Sequence, residues 1–208
     1  VEGKYSVLPT RFATNFIALQ SILAQKDALR VMVASKEWTS SAYAKEAKTN
    51  QFVDQVLDSG FWSKCADVVK LTEPLVRVLC MVDSEDKPAM GFIYRAMYKA
   101  REEMVKRFRR NKTKEEPYLK ILDHRWDSQL HKTLHAAGYW LNPAYRFNEE
   151  EFEQHMTTTT GLLDVIERYA HGDSQLRTKL TSGKRIYSNV ELDFGRQAAL
   201  DERNIVMP

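Results

Sequence analysis

The chain is short of turn-formers: its 208 residues include only eight glycines and six prolines. That scarcity disfavours an architecture of many short strands joined by tight turns and favours long helices. It has two cysteines, Cys65 and Cys80, both within apolar periodic stretches. Two such residues exclude a disulfide framework and a zinc knuckle. They read as buried thiols, which points to a reducing compartment, nuclear or otherwise intracellular. No apolar run approaches the ~20 residues that span a bilayer, so no membrane partner is expected. There is no glycine-rich phosphate loop and no Gly-x-Ser-x-Gly elbow, and neither cysteine lies in a nucleophile context. No cofactor, metal or catalytic set is therefore called for. The opening VEGKYSVLPT has neither an initiator methionine nor a signal-type apolar core, and reads as part of a larger protein.

What is present is a globular composition, 43% hydrophobic and 28% charged. The length fits a single helical domain, with residues 172–208 as a softer C-terminal part. The net charge of +3 says little, but its distribution says more. Between Lys99 and Lys114 eight basic residues face two acidic ones, Glu102 and Glu103, and Glu115 and Glu116 follow at once. The cluster is local.

Apolar spacing predicts an all-α fold, an irregular bundle of about six to eight helices. The first begins at Thr10 as N-cap and runs toward Met32, with Phe12, Phe16, Leu19 and Leu23 as its stripe. A polar connector, SKEWTSSAYAKEAKTN, follows, anchored by Trp38 and Tyr43. A short helix over 51–58 stops at Ser59-Gly60, and the next, from about Phe61 to Val82, should kink or break near Glu73 because Pro74 lies inside it. Pro88 opens a helix to about Arg110 that buries Ile93, Met97, Ala100, Met104 and Phe108. Another runs from Glu116-Pro117 to Ala137, with Gly138 just beyond its end. Asn148 caps a helix from Glu149 to Tyr169, weakened by the four threonines at 157–160 and by Gly161. In the last forty residues, 174–180 reads as a short helix, KRIYSNVELDF as extended or irregular, and 194–203 as helical.

Three of the five histidines fall in DHRWDSQLHKTLHAAGYWLNP, residues 123–143. Leu122, Trp126, Leu130 and Leu134 recur every four residues as a buried stripe. Asp123, Asp127, His131 and His135 recur with the same step, about 100° around the helix. A histidine pair at i and i+4 beside a carboxylate can share a metal ion, and an Asp–His pair can move protons. The same spacing equally makes a ladder of helix-surface pairs at the edge of the core. No His-Glu-x-x-His pattern and no third ligand segment favours the metal. The basic stretch reads either as a phosphate-contacting strip, led by Lys106, Arg107, Arg109 and Arg110, or as a solvated helix end that complements the helix dipole. Met90, Met97 and Met104 read as core.

Two segments carry a resemblance. Pro9-Thr10-Arg11-Phe12, followed by ATNFIAL, is similar to the Thr-Arg-aromatic start of the region after the second catalytic aspartate in hAT-superfamily (Activator-type) transposases. The segment IYRAMYKAREEM, then LDHRWDSQLHKTLHAAGYWLNP, resembles the plant-type transposase-like branch, with its Arg-Trp-Asp, Leu-His and Ala-Ala-Gly-Tyr elements together. The resemblance implies a helical domain inserted into an RNase H-like fold, with the metal-binding aspartates upstream of Val1 and the glutamate beyond Pro208. On that reading the chain is a non-catalytic helical insertion domain, not itself an enzyme. It supports a catalytic core and contacts DNA backbone through Arg11, Phe12, Lys106, Arg107, Arg109 and Arg110. Phe12 stands where the family's familiar residue is tryptophan. The alternative from a different class is a protein–protein interaction scaffold, docking a partner or a second copy through Trp38, Tyr43 or Tyr145. A third is a metal-dependent enzyme on Asp127, His131 and His135.

Overall fold

The computed structural model describes residues 13–83, 88–108, 111–130 and 132–203. The fold is all-α, with no strand among the described residues, and its helices outnumber the predicted six to eight because several predicted helices are divided. The chain forms two compact units: Val1–Cys80 with Glu103–Arg110, and Met81–Glu102 with Asn111–Pro208.

In the first unit the predicted opening helix is two, α1 (Thr14–Ala24) and α2 (Lys26–Ala34), interrupted at Gln25. Thr10 and Phe12 lie outside the described residues, while Phe16, Leu19 and Leu23 are half-buried as the stripe requires. Ser35 closes α2 and opens α3 (Lys36–Thr39), its hydroxyl accepting the Trp38 N–H at 3.2 Å. A 3-10 turn at Tyr43–Lys45 leads to α4 (Ala47–Leu57). Trp38 does anchor this connector, packing on Phe52 with ring centroids 5.9 Å apart. Tyr43 does not: it is 70% exposed.

Ser59-Gly60 is the start of α5 (Ser59–Asp83), not a stop. Asp58 makes the difference, its carboxylate accepting the N–H groups of Gly60 (2.7 Å) and Phe61 (3.0 Å) as an N-cap does. The last carbonyls of α4 are satisfied from a distance. Trp62 Nε1 donates to Val56 O at 2.7 Å, and Arg30 donates to Val56 O and Leu57 O, each at 3.3 Å. Trp62, Cys65 and Val69 of α5 are buried, as are Val33, Val56, Met104 and Phe108 elsewhere in this unit.

The predicted break at Pro74 is absent, and α5 passes through it. A helical proline leaves the carbonyl four residues back without its N–H partner. Here that carbonyl belongs to Lys70, and Arg107 Nη1 donates to it at 3.4 Å. The same guanidinium bonds Glu73 at 2.5 Å and Glu103 at 2.7 Å, and Arg77 joins Glu103. A cation thus replaces the lost donor and lets the helix continue.

In the second unit Pro88 opens a 3-10 turn at Ala89–Gly91, and α6 (Ile93–Arg107) begins beyond it. Asn111 caps α7 (Lys112–Arg125). The predicted continuous helix from Glu116 to Ala137 is then interrupted by a π-turn at Trp126–Leu130 and by Lys132 in extended conformation. α8 (Thr133–Leu141) follows.

α8 is the centre of this unit: Ala136, Ala137, Tyr139 and Trp140 are all at most 3% exposed. Gly138 lies inside α8 instead of ending the preceding helix. A β-carbon there would lie 2.7 Å from Met90 O, so only glycine allows this approach. Asn142 ends the helix with both ends of its amide in use. Oδ1 accepts the Ala144 N–H and caps α9 (Pro143–Arg146), while Nδ2 donates to Gly91 O at 3.2 Å.

The predicted helix over 149–169 divides into α10 (Glu149–Glu153) and α11 (Thr158–Tyr169), just before the threonine-rich stretch ends. Thr158 is fully buried and Thr159 accepts the Trp140 indole N–H at 3.1 Å. Gly161 lets α11 cross α8, since a β-carbon on it would come within 2.5 Å of the Ala136 methyl. Asp173 caps α12 (Ser174–Ser188), which is twice the length predicted. KRIYSNVELDF is therefore helical to Ser188 and closes in a 3-10 turn at Leu192–Gly195, before α13 (Gln197–Glu202). Burial overrides the weak local pattern, because Leu180 and Tyr187 pack against the Trp140, Leu162 and Ile166 core.

Candidate nucleic-acid interface

Of the six predicted DNA-contacting residues, Arg11, Phe12, Arg109 and Arg110 lie outside the described residues. Lys106 is exposed and makes no ion pair among the described residues. Arg107 is only partly exposed and is occupied by Glu73, Glu103 and the Lys70 carbonyl. Those bonds, Glu73 first, raise its already high pKa. Burial works against the Glu103 charge, but hydrogen bonds from Arg77 and Arg107 hold its carboxyl below the ordinary range. A guanidinium committed to two carboxylates offers a phosphate little net charge.

The Asp/His ladder is not assembled as the spacing suggests. The π-turn and the extended Lys132 shift its lower half off the helix that carries its upper half. His131 lies outside the described residues. Asp123 is bonded to Arg101 through both oxygens, at 2.7 and 2.9 Å, and its hydrogen bond raises the arginine's pKa despite burial. His135 accepts the Lys132 N–H at 3.3 Å through Nδ1 and stacks on Trp126, centroids 6.0 Å apart. No group of three or more potential ligands occurs among the described residues.

The aromatic residues expected to dock a partner divide differently. Tyr145 is 8% exposed and stacked on Tyr139 at 4.9 Å, so it is core. Of the methionines, Met104 is buried and Met90 is 47% exposed.

The second unit brings together a cluster that the sequence pattern did not single out. Trp140, Phe152 and Tyr187 come from α8, α10 and α12 and Phe147 from the end of α9, and three cations lie over the faces of Trp140, Phe147 and Phe152. Arg146 stands over Phe152 (4.3 Å from guanidinium carbon to ring centroid) and over Trp140 (5.0 Å). Lys184 stands over Trp140 at 5.2 Å, and Arg203 over Phe147 at 3.7 Å. None of the three makes an ion pair among the described residues. Arg146 has its Nε buried without a hydrogen-bond partner, and burial lowers its pKa. Tyr187 donates its hydroxyl to Leu141 O at 2.9 Å, and burial pushes its pKa up to about 12.

Ring faces attract cations without neutralising them. The cluster therefore holds positive charge in place while leaving it unmatched, as a site for an anionic backbone requires. Trp140 itself is buried, so it cannot stack a base. Sequence reading missed the site because its members are scattered over 140–203 and no local charge run marks them.

No helix among the described residues is long and apolar enough to cross a membrane. Comparison with protein-family models, characterised proteins and solved structures gives no match for this chain.

Proposed function

We propose that the chain is a non-catalytic helical domain of a transposase-like protein, and that it contacts DNA through sequence-independent phosphate interactions. The observation that carries the anion contact is the set of three unpaired cations, Arg146, Lys184 and Arg203, held over one aromatic cluster. Exposed Lys106 adds a cation from the basic stretch. The non-catalytic part rests on the segment that most resembles the transposase-like family. Its Ala-Ala-Gly-Tyr residues pack at the centre of a unit, Asp123 is paired with Arg101, and His135 accepts the Lys132 N–H.

The test is a fluorescence-anisotropy titration of the 208-residue chain with duplex and hairpin DNA over a range of salt concentrations. Binding should weaken steeply with salt, since cations that contact phosphates release condensed counterions. Replacing Lys184 and Arg203 with glutamine should lower the affinity on every DNA sequence alike and flatten the salt dependence. Absence of binding at low ionic strength would sink the proposal.

A further inference from the structure

Beside the cationic cluster, α8, α11 and α12 enclose an open groove of about 570 Å³. Its floor and walls are Leu162, Val165, Ile166, Leu180, Tyr187 and Phe194. Exposed apolar side chains continue its rim, with Leu141 at 51% and Tyr169 at 75% exposure. A face of this kind on a folded domain marks a place where something apolar docks.

Two features say what docks there. The first is Gly183, which lines the groove from the middle of α12. Glycine weakens a helix interior, so a structural reason for it is expected. Every other glycine of this unit has one. Gly91, Gly138, Gly161 and Gly195 each meet a neighbour at 3.3 Å or less from the position a β-carbon would take, and Gly172 has a φ of +79°. Gly183 has an ordinary helical φ and nothing within 4 Å. Its counterpart inside the chain is Gly161, whose missing β-carbon lets α8 lie close against α11. Gly183 offers the same close approach to a helix that the described residues do not supply.

The second feature is charge. α12 carries Arg177, Lys179, Lys184 and Arg185 and no acidic residue. Arg185 is matched by Glu191 at 2.9 Å. Lys179 and Lys184 line the groove and, among the described residues, make no ion pair and are the only charged residues lining it.

We infer that this groove binds an amphipathic helix of a partner protein whose apolar anchors are flanked by glutamate or aspartate, the helix crossing α12 at Gly183. Apolar anchors fill the space between Leu162, Ile166 and Phe194, and the flanking carboxylates meet Lys179 and Lys184. The inference shares Lys184 with the DNA reading but rests on the groove, Gly183 and Lys179, which that reading does not use.

The experiment uses the whole chain and a labelled, end-capped helical peptide of roughly 18 residues, about five turns. Leucines are spaced at i, i+4 and i+7 and flanked by glutamates, and a matched peptide has lysines in place of the glutamates. Anisotropy should show the glutamate peptide binding at least about tenfold more tightly than its lysine counterpart. Gly183→Leu fills the groove and should weaken the glutamate peptide about tenfold or more without lowering the melting temperature, because leucine is the better helix former. Lys179→Glu should reduce or reverse the charge preference. The inference is overturned if neither peptide binds, if both bind alike, or if Gly183→Leu leaves binding unchanged. It is overturned equally if sedimentation shows the chain self-associating and Gly183→Leu abolishing that association. A second copy would then be the occupant.

Discussion

Gly161 and Gly183 lie in adjacent helices, and the same substitution should have opposite effects on them. At Gly161 a methyl group would meet the Ala136 methyl at 2.5 Å, so Gly161→Ala overpacks the α8–α11 crossing and should cost ~1–3 kcal/mol. At Gly183 the methyl meets nothing, and Gly183→Ala should add about 0.5–1 kcal/mol through helix propensity. Thermal unfolding should separate the two by several degrees, at roughly 2–4 °C per kcal/mol for a chain of this size. Tyr187 makes a second prediction at this scale. Its pKa is raised by burial from 10.0 to about 12, so the native state holds the phenol proton more tightly than the unfolded chain does. Stability from that burial is complete below pH 10 and declines as pH rises toward 12. Ultraviolet titration should find one tyrosine ionising late, and Tyr187→Phe should remove that phase. Neither feature is legible locally. A glycine in a helix does not announce what faces it, and Val190 and Leu192, at φ of 58° and 54°, adopt left-handed conformations their side chains disfavour.

At the scale of elements, the continuity of α5 depends on a residue from another helix. Pro74 removes the N–H that Lys70 O would accept, and Arg107 supplies a donor there while joining Glu73 and Glu103. Arg107→Ala should therefore destabilise the fold by about 2 kcal/mol, more than Lys106→Ala, which removes an exposed charge. Pro74→Ala restores the helical N–H and should recover part of that loss. A double-mutant cycle by urea unfolding measures the coupling, and strict additivity would refute the compensating role. The proline was plain in the sequence, and a break was its local consequence. The compensation was not plain, because Arg107 lies 37 residues from Lys70. The Asp123–His135 ladder shows the converse. Its four-residue step is real in the sequence, but the register fails in space because a π-turn and an extended residue interrupt the helix that would have carried it.

For the whole molecule, the net charge of +3 gives no strong long-range field, so attraction to DNA must come from local patches. The salt dependence should then come from the phosphates those patches contact. If Lys184 and Arg203 each contact one phosphate, replacing both should reduce the slope of log affinity against log salt by about 2. A slope unchanged by these replacements would move the contact elsewhere, toward Lys106 and the basic stretch around it. The peptide experiment reads an adjoining surface that shares Lys184, and Lys179→Glu against Arg203→Gln, each at a residue only one reading uses, distinguishes the two.

The sequence by itself determined that this protein is helical. Few glycines and prolines, together with apolar spacing near 3.6, leave burial of one helix face as the way to form a core. It also marked Ala100, Met104 and Phe108 as members of a buried helix face, and all three are buried. Only the tertiary structure decided where helices stop, which charges are consumed and which remain. Caps such as Asp58 and Asn142, the donor Arg107 and the rings beneath Arg146, Lys184 and Arg203 act between residues distant in sequence or through local geometry that pattern does not fix. Periodicity reports which face of a helix is apolar. It carries no information about which cation finds a carboxylate and which is left over an aromatic ring.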